Sequence, residues 1–438
     1  PHYKLQVSVV ETNKTPTAPV RGAGYPEGCF AMERVIDAIA RHRGLDRAEI
    51  RRRNLVPGNA IPYQTPMQAR STSAIVYESG DFPACLELAL KSADYAGFPA
   101  RREKAKAGGR LLGFGISTGL KGTGRGPFES AIVRIGRSGK VSIYTGAMAM
   151  GQGLKTVLAQ IAADEVGVRP EDITVVSGDT ATIQLGLGGF ASRQTVTAGN
   201  SVHLAARAVR EKAIKAAALL LEVPEMNLDI RDGIVFETGK NLSISLRDIA
   251  DSLAGAPGYK MPSGLAPGLD SAVNFETSAL TYGLGAHAVE LEVDPETGQV
   301  TIDRFFVVDD LGRIINPMIV KGQQQGGVVQ GIGQALLEHQ VYDRQSGQLL
   351  TGSFMDYAMP HAAQMPNVDC ALEEIPCKTN PLGVKGIGES GTIGAPPTII
   401  NALIDALSPL GVDQIDMPAT PLRVWETIQR AKGKQAAA

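Results

Sequence analysis

A chain of 438 residues exceeds the size at which a single hydrophobic core usually stops growing, so two domains are expected. Its formal charge of −2, with 43 basic and 45 acidic residues mixed along the length, offers no basic field for nucleic acid and no polybasic stretch for a membrane surface. Neither an apolar run of a membrane span's length nor a charged-then-apolar leader occurs, so the expected setting is the cytoplasm and the expected partners are small molecules and proteins.

Residues Tyr3 to Val10 read as a strand entered in mid-structure, which implies that something precedes them. The turn Val20-Arg21-Gly22-Ala23-Gly24-Tyr25-Pro26 leads into a helix in which Phe30, Met32, Val35, Ile36 and Ile39 share one face at helical spacing, with Glu33, Arg34, Asp37 and Arg41 polar. That spacing puts the apolar face in the core. Residues 99–112 are basic, rich in small residues and glycine-ended, and mark the expected linker between a first domain at 1–98 and a second at 113–430.

Beyond the linker the pattern turns to strands. Ala131–Ile135 and Val141–Thr145 flank a Ser138-Gly139 turn, and Met150-Gly151-Gln152-Gly153 follows, opening a helix through Val157, Leu158, Ile161, Ala162 and Val166 to Gly167. The loop Gly188 to Thr195 precedes a long alanine-rich helix ending near Leu221. The same order returns as His287–Val293, a Thr297-Gly298 turn, Val300–Val308 and Gly322–Gly327, read as the start of another helix. The order suggests an internal duplication, although 12 residues separate Gly139 from Gln152 and 24 separate Gly298 from Gln323. The fold class is therefore α/β in a mixed α+β arrangement of hairpin and helix units.

Cys29, Cys85, Cys370 and Cys377 form no CxxC pair and no histidine lies near them at ligand spacing, which excludes an iron–sulfur or zinc site confined to this chain. Fifty glycines against eleven Phe and one Trp point to tight backbone approaches, or simply to many turns. Glycine-rich segments at 151–153, 188–199 and 322–327, and a fourth ending at Gly391, could turn backbone N–H groups and helix N-termini toward an anionic, phosphate-bearing cofactor. In the last of them, Lys385-Gly386-Ile387-Gly388-Glu389-Ser390-Gly391, a lone carboxylate stands among glycines, which suits a catalytic base and equally a surface turn. Gly386, Gly388 and Gly391 also fit the dinucleotide-binding spacing, but no strand precedes them and Pro396-Pro397 follows, so a dinucleotide-dependent dehydrogenase lacks its context. A hydrolase would want a GxSxG elbow, and none is present.

Six segments taken in order, Arg21-Gly22-Ala23-Gly24, Met150 to Leu154, Ala191-Ser192 to Asn200, Asp310-Leu311-Gly312 to Pro317, Gly322-Gln323 to Gly333, and Gly386 to Glu389, closely resemble the molybdenum-binding subunit of the xanthine oxidase family. The resemblance runs from near residue 15 to about 425 and spans the C-terminal half or so of the family's large subunit. It implies a molybdopterin-type cofactor in its cytosine dinucleotide form, whose metal is held by pterin dithiolene sulfurs and by no protein ligand. It implies that Arg21, Gly22, Ala23 and Gly24 pass close to the metal's inorganic ligands. Gly151, Gln152, Gly153, Ala191, Ser192, Gln194, Thr195 and Gly388 would surround the pterin or its pyrophosphate, and Glu389 would be the base. The implied reaction is hydroxylation of an electron-poor carbon, of N-heteroaromatic or aldehyde type, with water as the oxygen source. Electrons would leave through [2Fe–2S] clusters and FAD on an iron–sulfur subunit and a flavin subunit, and a second molybdenum-domain chain would supply the missing half. Gly22 stands where the family's carbon monoxide dehydrogenases carry a copper-binding cysteine, which argues against that chemistry. Tyr357 and Met359 are candidates for the substrate pocket or for plain packing. The structural alternatives are Gln152 as a helix cap, Ser192 and Thr195 as local backbone partners, Arg21 in an ion pair, Glu389 paired with Lys385, and the whole chain as a noncatalytic scaffold.

Overall fold

The computed structural model describes residues 4–69, 72–255, 257 and 261–437. In chain order, α1 (Tyr25–Arg43) and α2 (Arg47–Asn54) lead to a hairpin of β1 (Tyr63–Gln68) and β2 (Ala74–Tyr77), then α3 (Phe82–Ser92), α4 (Phe98–Ala107) and the long β3 (Leu111–Thr123). There follow β4 (Phe128–Ile135), β5 (Val141–Thr145), α5 (Leu154–Val166), β6 (Ile173–Ser177) and α6 (Asn200–Leu221). A small sheet of β7 (Leu228–Arg231), β8 (Ile234–Glu237) and β9 (Ser243–Ser245) then leads into α7 (Leu246–Ala254) and β10 (Leu269–Glu276). The chain ends with β11 (Thr281–Val293), β12 (Val300–Asp310), α8 (Pro317–Leu336), β13 (Val368–Glu373), α9 (Ser390–Leu407) and α10 (Pro421–Ala437).

Two four-stranded sheets carry the fold, and they are built alike. In the order β10-β4-β5-β6, β4 and β5 form a hairpin, α5 crosses over, and β6 returns parallel to β5. In the order β3-β11-β12-β13, β11 and β12 form the hairpin, α8 crosses over, and β13 returns parallel to β12. Helix α6 covers the first sheet and α9 the second. The duplication suggested by the order of turns and strands is thus present as two copies of one topology.

The first sheet follows from alternation: Ala131, Val133 and Ile135 of β4 and Val141 and Ile143 of β5 are buried beneath α5 and α6. In the second sheet β3 and β11 are buried on both faces, and α9 has all 18 of its residues buried. Such close contact depends on glycine. A Cβ at Gly113 or Gly115 of β3 would run into the carbonyl oxygens of Ala402 and Thr398, and one at Gly327 of α8 would stand 2.9 Å from Gly391 Cα. Many of the glycines serve neither loops nor a ligand; they let α9 lie directly against its neighbours.

Five expectations are corrected. Residues 4–10 form no strand, and Leu5, Val7, Val9 and Val10 are exposed; Tyr3 lies outside the described residues. Helix α1 is turned the other way, with Met32, Val35 and Ile39 exposed while Glu33 and Asp37 are buried against Arg51 of α2 at 2.5 and 3.3 Å. The reason lies in β3, whose outer edge has no strand beside it among the described residues. Along it Thr118 N donates to Glu33, Phe114 N donates to Asp405, and the carbonyls of Ile116, Phe114 and Leu112 accept from Arg51, Arg47 and Arg102. The charged face of α1 therefore satisfies backbone groups that an apolar face would leave unpaired. Gly322–Gly327 opens no helix: α8 begins at Pro317, where the Asn316 side chain accepts from Ile319 N at 3.0 Å, and these glycines lie within it. Pro396-Pro397 does not interrupt a helix start either, because α9 continues through both. The expected linker is largely α4, whose Arg101 and Arg102 pair with Glu290 and Asp405.

Candidate functional site

The two sheets meet at a cavity of about 860 Å³, walled by the turn before α5, the loop 189–195, residues 19–25, the start of α8 and the loop before α9. Glu389 is the residue just ahead of α9 and does not cap its own helix. Its carboxylate is held by three other parts of the chain: Gly22 N donates to Oε1 at 3.1 Å, and Ser192 Oγ and Lys121 Nζ donate to Oε2 at 3.3 and 2.6 Å. The alternative partner, Lys385, is not involved, since its ammonium is buried against Asp310 at 2.6 Å.

Local chain geometry explains the glycines here. Gly22 has φ +109°, and a Cβ there would stand 2.7 Å or less from the Pro26 ring, so only glycine can aim this N–H at Glu389. Ala191 and Ser192 are consecutive non-glycine residues in the left-handed region, at φ 49° and 50°, a strained conformation of the kind that concentrates at functional sites. Their loop crosses the loop 386–388 so closely that a Cβ at Gly386 would overlap Ser192 O. The strained loop is anchored by Arg193, fully buried, which pairs with Glu129 at 2.7 Å and donates to the carbonyls of Arg125, Phe128 and Gly188.

Among the described residues Arg21 forms no ion pair of the kind entertained above; its guanidinium donates to Gly388 O and to the backbone and side-chain oxygens of Gln323, both at 3.2 Å. Burial lowers its pKa, and nearby Glu389 opposes that. Gln152 accepts from Met150 N and donates to Met148 O and Gln194 Oε1, while Gln194 donates to Met148 O. Both NH2 hydrogens of Gln152 are thereby engaged, so Gln194 keeps the amide hydrogen that could reach a ligand. Ala23, Gly151, Ala191, Thr195 and Gly388 all line the cavity, while Gly24 and Gly153 (φ 90° and 79°) start α1 and α5 at its rim. Tyr357 and Met359 do not line it: Tyr357 donates to Glu338 at 2.8 Å, and Met359 is exposed.

Two features were not foreseen. Along one face of β3 the residues are Gly113, Gly115, Ser117, Gly119 and Lys121, and α9 runs beside them in the opposite direction. Gly113 meets Ala402 and Ala406, Gly115 meets Thr398, Ser117 Oγ donates to Gly394 O, Gly119 meets Ile393, and Lys121 meets Glu389. Two strand residues advance about 6.6 Å and four helix residues about 6 Å, so the two periods stay matched and deliver the lysine to the carboxylate. Burial lowers the pKa of Lys121, and its hydrogen bond and charge contact with Glu389 oppose the shift. Behind Glu389, Ser390 Oγ donates to Asp309, which also accepts from Gln324 at 2.8 Å; burial raises the Asp309 pKa to about 6.

The donor set fits a phosphate-bearing cofactor whose metal is held by its own ligands. Arg21, Lys121, Arg125 and Arg313 face the cavity against the single carboxylate Glu389, while Lys385 and Arg193 are consumed by Asp310 and Glu129. Among the described residues no three His, Cys, Asp or Glu side chains could hold a metal ion together. The family model of a molybdopterin cofactor-binding domain matches residues 88–366, and a second such model matches 1–55. The chain belongs to the xanthine oxidase family. This molybdopterin-binding chain is 38% identical over 430 residues to the 6-hydroxypseudooxynicotine dehydrogenase complex subunit gamma of Paenarthrobacter nicotinovorans, and 38% identical over 426 to the nicotine 6-hydroxylase large subunit of the same organism. Those matches cover 98% and 94% of this chain and 54% and 51% of the relatives, so it spans about half their length. The quinoline 2-oxidoreductase structure from Pseudomonas putida 86 superposes with a TM-score of 0.86 at 35% identity, over 95% of this chain and 54% of that one. Among the described residues no helix is long and apolar enough to cross a membrane.

Proposed function

We propose that this chain is the cofactor-binding part of a cytoplasmic, multi-subunit molybdenum hydroxylase that oxidises an electron-poor carbon, of N-heteroaromatic or aldehyde type, with water as the oxygen source. The observation that carries the reading is Glu389: a carboxylate fixed from three sides at the meeting point of two duplicated units, in a cavity whose other charged lining residues are cations. The molybdenum cofactor, in its cytosine dinucleotide form, supplies the two-electron oxidation when bound. Arg125, Arg313 and the free amide hydrogen of Gln194 hold its anionic and polar groups, and the Ala191-Ser192 loop shapes the cradle. The Gly22 N–H and the Lys121 ammonium orient the Glu389 carboxylate, and Glu389 takes a proton as oxygen is transferred to the substrate. The names of the relatives, a nicotine 6-hydroxylase and a quinoline oxidoreductase among them, support a ring substrate. A second molybdenum-domain chain, an iron–sulfur subunit and a flavin subunit complete the complex and carry the electrons away.

Glu389→Gln keeps the size and one acceptor oxygen of the side chain but removes the base. In the isolated complex the variant is expected to retain molybdenum while single-turnover reduction by an N-heteroaromatic substrate slows by roughly 10²- to 10⁴-fold. A fully loaded variant reduced at the wild-type rate would refute the assignment.

A further inference from the structure

The segment ahead of α1 has the pattern of a strand and lacks a neighbour. Leu5, Val7 and Val9 alternate with Gln6 and Ser8 and are 67%, 72% and 93% exposed. Among the described residues the backbone of 4–13 makes no hydrogen bond within the chain, and no strand lies beside it. Alternation of this kind puts the three apolar side chains on one face of an extended run and the polar ones on the other. Single apolar residues on a surface are ordinary, but a row of them along a free backbone edge is what strand addition uses: main-chain hydrogen bonds hold the added strand, and pockets take every second side chain. Pro16 and Pro19 have no N–H to donate and stop the run before the turn at Gly22. Lys14, with its ammonium 4.9 Å from the Tyr342 ring centroid, ties the end of the segment back to this chain.

We infer that residues 5–9 add as a strand to a sheet of the second molybdenum-domain chain, with Leu5, Val7 and Val9 turned into that chain's core. The inference rests on the second chain proposed above and names the surface by which it binds. This chain spans about half the length of its relatives, and the family model that matches residues 1–55 meets there only the exposed segment, α1 and α2. Those elements enclose no core of their own: α1 and α2 turn charged side chains onto β3, while Val35 and Ile39 of α1 are exposed like the row at 5–9. The apolar faces left open in these residues are therefore assigned to the remainder of that domain. A second copy of this chain would serve poorly, because two such runs paired with each other make a two-stranded ribbon, which is marginal in water and leaves its apolar face open. A sheet that already belongs to a folded domain covers that face. The same run leads through residues 19–25 into the cavity wall, so docking it also steadies the turn from which Gly22 N reaches Glu389.

The test is made on the intact complex by hydrogen–deuterium exchange and by lysine-directed cross-linking from Lys4 and Lys14, which flank the run. Amides of 5–9 are expected to exchange on average at least about tenfold more slowly than in an unpaired chain, and Lys4 is expected to cross-link to the second chain. Val7→Asp should weaken the hold on that chain by about tenfold or more, since it removes a buried valine and puts a charge in its place, whereas Ser8→Asp on the opposite face should leave it within about threefold. Val7 touches nothing in its own chain that its loss could unfold, so the contrast reads docking and not stability. Unprotected amides at 5–9, equal effects of the two substitutions, or cross-links from Lys4 only to further copies of this chain would each overturn the inference and leave the second chain itself standing. A purified, active complex that contains no second molybdenum-domain chain would remove both.

Discussion

Gly115 is the position where the mounting of Glu389 can be tested without touching the cavity. A Cβ at 115 would overlap the carbonyl oxygen of Thr398 and stand 2.8 Å from Ala402 N and 2.9 Å from Ala402 Cβ. All three belong to the backbone or Cβ atoms of α9, so no side chain can swing away. Restoring ordinary contact near 3.4 Å requires the helix to withdraw by about half an ångström at Ala402 and about 1.5 Å at the Thr398 carbonyl, and gaps of that size forfeit a quarter or more of each dispersion contact they open. Overpacking of a rigid core costs about 1 to 3 kcal/mol, and the contact with the Thr398 carbonyl places Gly115→Ala at about 3. Gly119→Ala, on the same face, meets only Ile393 Cγ2 at 3.0 Å and Cys29 Sγ at 3.5 Å, side chains that can yield, and should cost less than about 1 kcal/mol. Urea titration followed by tryptophan fluorescence and far-ultraviolet dichroism compares the two. Equal midpoints would refute the claim that direct backbone contact between α9 and β3 fixes the register.

Asp309 gives a pH prediction. Burial raises its folded pKa to about 6 from an ordinary value of 3.8, so between those limits the folded protein binds more protons than the unfolded chain and loses stability as pH rises. The loss approaches about 3 kcal/mol above pH 6, and Asp309→Asn should remove that slope; parallel wild-type and variant stabilities from about pH 4 to pH 7.5 would rule it out. Gln152→Ala and Ser192→Ala should each leave molybdenum substoichiometric with the fold kept, each lost hydrogen bond being worth about 0.5 to 1.5 kcal/mol at these half-buried positions. The larger effect is expected for Gln152, which ties Met148, Met150 and Gln194 together; full metal content in both variants would return these residues to a purely structural role.

What could be read from the residues alone was whatever repeats locally. Both hairpins, the helix after Gly153 and the long helix to Leu221 follow from spacing within a single element, and the repeated order of turns exposed the duplication. What misled was set by distant partners. The apolar stripe of α1 obeys helical periodicity and still faces outward, because its acidic face is required at the edge of a strand some 85 residues away. Gly322–Gly327 has the composition of a loop, yet it lies inside α8, where Gly327 lets the helix approach Gly391 closely. Glu389 was legible from its glycine setting, whereas Lys121 was hidden: the run Gly113, Gly115, Ser117, Gly119 carries meaning only once α9 is known to lie upon it.

The sealing of β3 also bears on how the protein can fail. Its outer edge is closed by side chains from α1, α2, α4 and α9 rather than by another strand. Side chains release a backbone more readily than a paired strand does, and a cut or local melting between residues 25 and 107 would strip most of them at once. The chain would then present thirteen residues of extended, glycine-rich and largely uncharged backbone to other molecules. Such an edge is a template for intermolecular strand addition. Loss of α1 and α2 should therefore be followed by aggregation before the rest of the second sheet unravels, and the Glu33–Arg51 pair acts as a guard on solubility as much as a contribution to the fold.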